Sequence, residues 1–131
     1  MRTAAQSLFT IVLVTMLCSP AMAEIPWQDN LRAAHAQAEA EGKLLLLHFY
    51  SDSCVFCDRL EEGAFRSPDV NSTINQKFIP VKINGGSNRQ LIEMFKVTKY
   101  PTDVIVTPGG QTLGHAVSPQ QPSRYLSLIH I

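Results

Sequence analysis

A chain of 131 residues has room for one domain rather than two, and 45% hydrophobic with 17% charged residues is the balance of an ordinary globular fold. Eleven basic side chains match eleven acidic ones, so the formal net charge is zero. That removes the basic footprint expected of a nucleic-acid binder.

Residues 1–23 do not read as part of the fold. Arg2 lies in a short polar start, LFTIVLVTML is an apolar core, and the segment ends in Ala21-Met22-Ala23. A charged start, a short apolar core and an A-x-A site make a secretory leader. The apolar run falls short of the ~20 residues of a spanning helix, and Pro20 with small residues follows at once, which disfavours an uncleaved anchor. Cys18 follows Thr-Met-Leu rather than the small residues that precede a lipidated cysteine, so it belongs to the discarded leader. Cleavage after Ala23 leaves a chain from Glu24 with two cysteines, Cys54 and Cys57, in a disulfide-permissive compartment.

The mature chain opens with an Ala-rich helical pattern, Trp27, Leu31, Ala34 and Ala38 at helical spacing, with Asp29 as its expected N-cap and Gly42 as its stop. KLLLLHFYS (residues 43–51) is a continuous apolar run of strand length, suited to a strand buried on both faces. A helical pattern resumes at Cys54. A further helix begins at Ser67, with Pro68 in its first position and Asp69 in its first turn. FIPVKIN (78–84) is the second strand, in which Pro80 predicts a bulge or irregular pairing. NGGSN is a turn, RQLIEMFKV a short amphipathic helix, and TDVIVTPGGQTLGHAV two strands around Pro-Gly-Gly. A last helix is expected from Pro119. The order predicts an α/β domain with a parallel strand–helix–strand unit, a terminal hairpin and a mixed central sheet flanked by helices.

Cys54-Val-Phe-Cys57 at a strand-to-helix junction has a chemical logic. Cys54 falls at the first turn, where free backbone N–H groups and the helix dipole lower a thiol pKa from ~8.5 toward ~3.5–7.5. Cys57 lies one turn further in. Cys54 would attack a substrate disulfide and Cys57 would resolve the mixed disulfide. A structural disulfide is the plainer alternative, although so small a loop removes little unfolded-chain entropy. A zinc site needs about four ligands, and His35, His48, His115 or an acid would have to supply the rest. Covalent haem attachment needs His after the second cysteine, where Asp58 stands.

Taken together, the strand LLLLHFY, Cys54-Val-Phe-Cys57 opening a helix, FIPVKIN, and Tyr100-Pro101-Thr102 before DVIV resemble the thioredoxin superfamily from about Trp27 to His115. Leu60, Phe65, Pro68-Asp69-Val70 and Phe78-Ile79-Pro80-Val81-Lys82 are similar to small exported members. The resemblance implies a thioredoxin-like fold over residues 24–125 and a cis peptide before Pro101, with Pro101 facing the cysteines and the Tyr100 backbone pairing with an extended substrate. Tyr50 and Tyr100 would shape the substrate groove. Two departures matter. Val55-Phe56 replaces the intervening residues of thioredoxins and of strong oxidants, and Phe56 offers the thiolate no hydrogen bond. His48 stands six residues before Cys54, where thioredoxins place a buried acid as proton relay. His48 is therefore a candidate relay to Cys57, since imidazole titrates near neutral pH; a core histidine bonded to backbone is the alternative.

Other residues are set aside. Trp27 is expected in the core, Asp52 and Asp58 solvated, and His115 on the surface. Asn71-Ser-Thr73 fits a glycosylation acceptor, which matters only in a eukaryotic secretory pathway, whereas the leader suits a bacterium. LSLIHI (126–131) is what CTG-TCT-CTT-ATA-CAC-ATC, the end of a transposon-type sequencing adapter, would encode; an adapter-derived end with the natural domain continuing past Tyr125 is expected, and an ordinary apolar helix end is the alternative.

The expectation is an exported thiol–disulfide oxidoreductase, periplasmic or secreted, monomeric, without cofactor or metal. Its partners would be protein thiols or disulfides and a membrane-bound electron donor. Because Phe56 leaves the thiolate without polar support, the reductase or isomerase direction is preferred over oxidase. The alternative is a redox-inactive thioredoxin-like binding module whose cysteine pair holds a metal or persists as a disulfide.

Overall fold

A computed structural model describes residues 23–131 of the chain; the expected leader, apart from Ala23, lies outside the described residues. The elements follow the predicted order. They are α1 (Leu31–Glu41), β1 (Leu44–Tyr50), α2 (Val55–Glu62), a 3-10 turn (Ala64–Arg66), α3 (Pro68–Lys77), β2 (Phe78–Asn84), α4 (Arg89–Met94), β3 (Thr102–Val106), β4 (Thr112–Val117) and α5 (Pro122–Ile129).

The four strands make one mixed sheet in the order β2-β1-β3-β4. β1 pairs in parallel with β2, Leu44 opposite Phe78 through Tyr50 opposite Asn84. On its other side it pairs antiparallel with β3, Leu45 opposite Val106 through Phe49 opposite Thr102. β1 is thus covered on both edges and both faces, which is why its sequence is apolar without alternation. Side chains still alternate between faces. Leu46, Phe78 and Ile105 meet Leu60, Val70, Ile74, Tyr125 and Ile129 from the α2, α3 and α5 side. Leu45, Leu47, Phe49, Ile79, Val81 and Val104 meet Ala34 and Ala38 of α1 and the α4 region.

Local details differ from the sequence reading in three places. Asn30, not Asp29, caps α1: its extended backbone (φ −106°, ψ 101°) turns the side chain to accept from the Ala33 N–H, at 3.0 Å. Gly42 stops the helix in the left-handed region at φ 64°, as glycine permits. Pro80 produces no bulge and pairs in register with Leu46. The carbonyl of Pro80 faces the outer edge, where it accepts from the Gln28 N–H at 2.9 Å. Its nitrogen faces the same way, so the donor that proline lacks is one the β1 ladder does not use. The irregularity falls instead between Ile105 and Val106, where the hairpin register shifts. Finally, α5 starts at Pro122 rather than near Pro119: Gln121 before it is extended, as a residue preceding proline tends to be, and Ser118 and Gln120 are tied to other loops. Ser118 N–H donates to the Pro101 carbonyl at 3.0 Å, and Gln120 Nε2 to the Phe56 carbonyl at 3.1 Å.

Leu46 is fully buried at the centre of the sheet. Leu46→Ala should cost about 2–5 kcal/mol in denaturant unfolding, against about 1 kcal/mol for Asn30→Ala, which removes only a cap; equal losses would contradict this placement of the core.

Candidate active site

The site forms where β1 ends. After Tyr50 the chain turns through residues 51–53, with Ser53 in the left-handed region at φ 56°, and enters α2. Cys54 is its N-cap, in extended conformation (φ −107°, ψ 103°). In that position the Cys54 Sγ takes the part usually played by a hydroxyl or carboxylate: it accepts the Cys57 backbone N–H at 3.2 Å. The same donor, together with the helix dipole, stabilises negative charge on that sulfur in the reduced form. Cys57 sits on the inner side of the first turn and is 6% exposed, whereas Cys54 is partly open to solvent. The two are joined as a disulfide across a Cα–Cα separation of 5.2 Å, inside the range such a bond spans. Val55 and Phe56 between them are 60% and 54% exposed, so the motif presents an apolar rim beside its outer sulfur.

The Tyr100–Pro101 peptide is cis. The segment after β4 joins this loop to the cysteine loop, since Ser118 is bonded to Pro101 and Gln120 to Phe56. Tyr50 lines a cleft of about 480 Å³ with Asp52, Cys57, Asp58, Glu61 and Lys82. The Tyr100 ring packs against Gly85, whose N–H donates to the Tyr50 carbonyl at 2.8 Å. A Cβ at position 85 would overlap the Tyr100 hydroxyl, so a larger residue there fits only if the Tyr100 ring moves.

His48 is 1% exposed. Its partner is a side chain and not the backbone: Nδ1 lies 2.7 Å from Oδ1 of Asp103, which is fully buried. Trp27 and Phe65 enclose the imidazole, with ring centroids at 5.4 and 5.0 Å. On the other side of His48, Lys82 pairs with Glu61 and stands 5.3 Å over the Trp27 ring. The Tyr125 hydroxyl faces Asp103 from α5, yet both Tyr125 Oη and Asp103 Oδ2 are buried without a hydrogen-bond partner. Burial first, and then the Asp103 carboxylate, hold the Tyr125 hydroxyl well above the ordinary tyrosine range.

Pairing of Phe49 with Thr102 puts Pro101 at the end of the sheet where β1 leads into Cys54 and Cys57, and His48 sits two residues before that end, paired with Asp103. Asp52 and Asp58 are exposed, as is His115, whose Nε2 meets the Phe95 carbonyl at 2.8 Å. Trp27 is half-buried against the core. Asn71 is buried within α3. Asp103, Glu61 and Tyr125 are not candidate site residues in the sequence reading, and Lys82 enters it only as part of the Phe78-Ile79-Pro80-Val81-Lys82 pattern. For Asp103 a signal existed, a carboxylate inside the apolar strand TDVIV, but its meaning depends on register. Among the described residues no group of three His, Cys, Asp or Glu converges to hold a metal ion, and no helix is long and apolar enough to cross a membrane.

Comparison with known proteins agrees with this geometry. The profile of a family described as thioredoxin-like matches residues 26–108. The thiol:disulfide interchange protein DsbD 2 of Pseudomonas aeruginosa is 30% identical over 79 residues, covering 58% of this chain and 14% of that protein. The chain spans less than a fifth of the length of each of the curated relatives it matches. A thioredoxin from Thermus thermophilus superposes with a TM-score of 0.72 at 20% identity, over 81% of this chain and 85% of that one. The oxidised C-terminal domain of DsbD from Neisseria meningitidis superposes with a TM-score of 0.63 at 20% identity, over 74% and 88%.

Two outcomes test the packing around the site. Gly85→Ala should destabilise by about 1–3 kcal/mol, and most of that penalty should vanish in a Tyr100→Ala background, as measured by a double-mutant cycle; a penalty unchanged by Tyr100→Ala would refute the contact. The raised Tyr125 pKa makes its neutral form a stabilising feature present below the unfolded value of about 10 and lost as pH rises past it. Wild type should therefore lose stability relative to Tyr125→Phe as pH rises above about 10; parallel stability curves would contradict it.

Proposed function

We propose, from the premise that this chain belongs to the thioredoxin-like family, that it is a thiol–disulfide oxidoreductase acting through Cys54 and Cys57. The observation that carries the reading is the asymmetry of the pair. Cys54 is the more open sulfur and receives a helix N–H, while Cys57 is buried one turn behind it.

In the reducing direction the Cys54 thiolate attacks one sulfur of a substrate disulfide. A mixed disulfide forms, and the first substrate thiolate leaves. Cys57, deprotonated, then attacks the Cys54 Sγ. The Cys54–Cys57 disulfide forms and the second substrate thiolate leaves, so two electrons pass from the dithiol to the substrate. A thiol donor reverses the steps and restores the dithiol. Pro101, with Tyr100 before it, guides an extended substrate past the sulfurs, and Tyr50 borders the groove. His48 is the group that takes up and returns the Cys57 proton. The exposed Val55 and Phe56 suit apolar segments of protein substrates.

The reductase or isomerase direction follows from Phe56, which gives the reduced thiolate no polar support. Residues 1–23 support export to the periplasm or beyond. There the protein, a monomer, meets protein thiols and disulfides and draws electrons from a membrane-bound donor.

In an insulin-reduction assay with dithiothreitol, wild type should turn over and Cys54→Ala should fall to the uncatalysed background. Cys57→Ala should accumulate a mixed disulfide on Cys54, visible by mass spectrometry. Substrate trapped on Cys57 in the Cys54→Ala variant would reverse the assignment, and an inactive wild type would remove the function.

A further inference from the structure

The pairing of β1 with its two neighbours lines up a polar row on an otherwise apolar face. Lys82 on β2 stands opposite His48 on β1, and His48 stands opposite Asp103 on β3. Opposed residues in a sheet point to the same face, about 4.8 Å apart, and this face is the one covered by α2 and α5. Lys82 shares a cleft with Cys57 and Glu61. His48 is thus the residue paired with Lys82 on the neighbouring strand, and Asp103 the one paired with His48 on the strand beyond. Asp103 is fully buried and His48 is 1% exposed. A carboxylate accepts hydrogen bonds and a neutral imidazole has one N–H to give, so the 2.7 Å contact is the one expected of Nδ1–H donating to Asp103. That fixes the Nδ1–H tautomer and leaves the lone pair on Nε2.

We propose that Asp103 is a positioning residue for disulfide exchange: it locks His48 in the Nδ1–H tautomer and holds the imidazolium that forms when His48 Nε2 takes the Cys57 proton. The inference rests on the proposed oxidoreductase reading and extends it to a residue on a different strand. The proton balance is simple. Before resolution Cys57 is a thiol and His48 neutral. As Cys57 becomes a thiolate, the proton moves to Nε2, and His48 becomes a cation paired with the Asp103 carboxylate. When the Cys54–Cys57 disulfide has formed, the proton leaves with the departing substrate thiolate.

The charge logic favours this arrangement over a lone buried histidine. A buried carboxylate with a neutral imidazole is a net negative unit in a low-dielectric setting, and proton uptake makes it neutral. The charged and titratable groups around the pair are Lys82 from β2, opposite His48, Glu61 from α2, paired with Lys82, and Tyr125 from α5; Cys57 lines the cleft that Lys82 and Glu61 share. Lys82 and Glu61 neutralise each other. The residue opposite Asp103 on β4 is Ala116, and the 3-10 turn contributes Phe65, so neither adds charge. The Tyr125 hydroxyl stays protonated and leaves Asp103 the anion of the cluster. Asp103 Oδ1 meets His48 at 2.7 Å, and the Tyr125 hydroxyl lies beside the same carboxylate.

Imidazole ¹⁵N spectra of the wild-type protein decide the tautomer without any variant. His48 should appear as Nδ1–H at neutral pH, and its titration midpoint should differ between the dithiol and disulfide forms because it shares a proton with Cys57. An Nε2–H tautomer, or identical titration in both redox states, would overturn the proposal. Single-turnover resolution of a mixed disulfide supplies the kinetic arm. Asp103→Asn should slow it about 10–100-fold at neutral pH and move the limb of the pH profile, with Asp103→Glu recovering part of the rate. In a His48→Leu background Asp103→Asn should add nothing further; a full additive effect there would show that Asp103 acts independently of His48 and sink the idea. If Asp103→Asn does not fold, the wild-type spectra still decide. Insulin turnover by wild type reports separately on the oxidoreductase reading.

Discussion

The structure depends on one constraint: β1 is the only described strand covered by hydrogen-bonded neighbours of opposite sense, β2 in parallel and β3 antiparallel. That placement explains the apolar run that builds the strand and the two cores that pack on its faces. It also explains the site. The chain leaves β1 at Tyr50, and the next regular structure must be a helix that returns across the same face to reach β2 in parallel. The first residue of that crossover is Cys54. The cysteine pair is therefore delivered to a helix N-terminus by topology, and the helix supplies the N–H that its outer sulfur accepts.

The same strand carries a buried polar pair into the core. Leu46 and His48 lie on one face two residues apart; the first meets only apolar side chains, and the second meets a carboxylate. A histidine and an aspartate buried together stabilise little compared with a well-packed apolar pair, and removing either leaves the other exposed to the full desolvation penalty. The surroundings fit a group retained for chemistry. Trp27 and Phe65 exclude water from the imidazole, Lys82 and Glu61 close the cleft side with compensated charge, and Tyr125 contributes a hydroxyl that stays neutral. The polar row ends at Ala116, so the charge is confined between α2 and α5.

Much of this was legible in the sequence, for physical reasons that differ by residue. The order of elements followed from the apolar runs and their breakers. The cysteines and Pro101 could be read because their local contexts, a strand before a short turn and a Tyr-Pro-Thr before another strand, carry their own geometry. The α1 cap was misplaced by one residue because Asp29 and Asn30 are both good caps and only backbone angles separate them. Pro80 misled because an edge strand has one ladder to satisfy, and which way its nitrogen points is a matter of register. Register also hid Asp103. A carboxylate in TDVIV is anomalous from composition alone, but its partner lies 55 residues earlier. The places of Tyr125 and Glu61 were hidden for the same reason, and Lys82, though part of a legible motif, gains its contact with Glu61 only through the fold.

The central claim, that Cys54 and Cys57 are a working redox couple rather than a staple, is tested most directly by equilibrating the protein with glutathione buffers and quantifying the two thiols by alkylation and mass spectrometry. The account predicts one reversible two-electron transition at a potential between about −120 and −270 mV, the range of exchange-active pairs, with Cys54 alkylated before Cys57. A pair that remains oxidised to potentials below about −300 mV, as structural disulfides do, would contradict it.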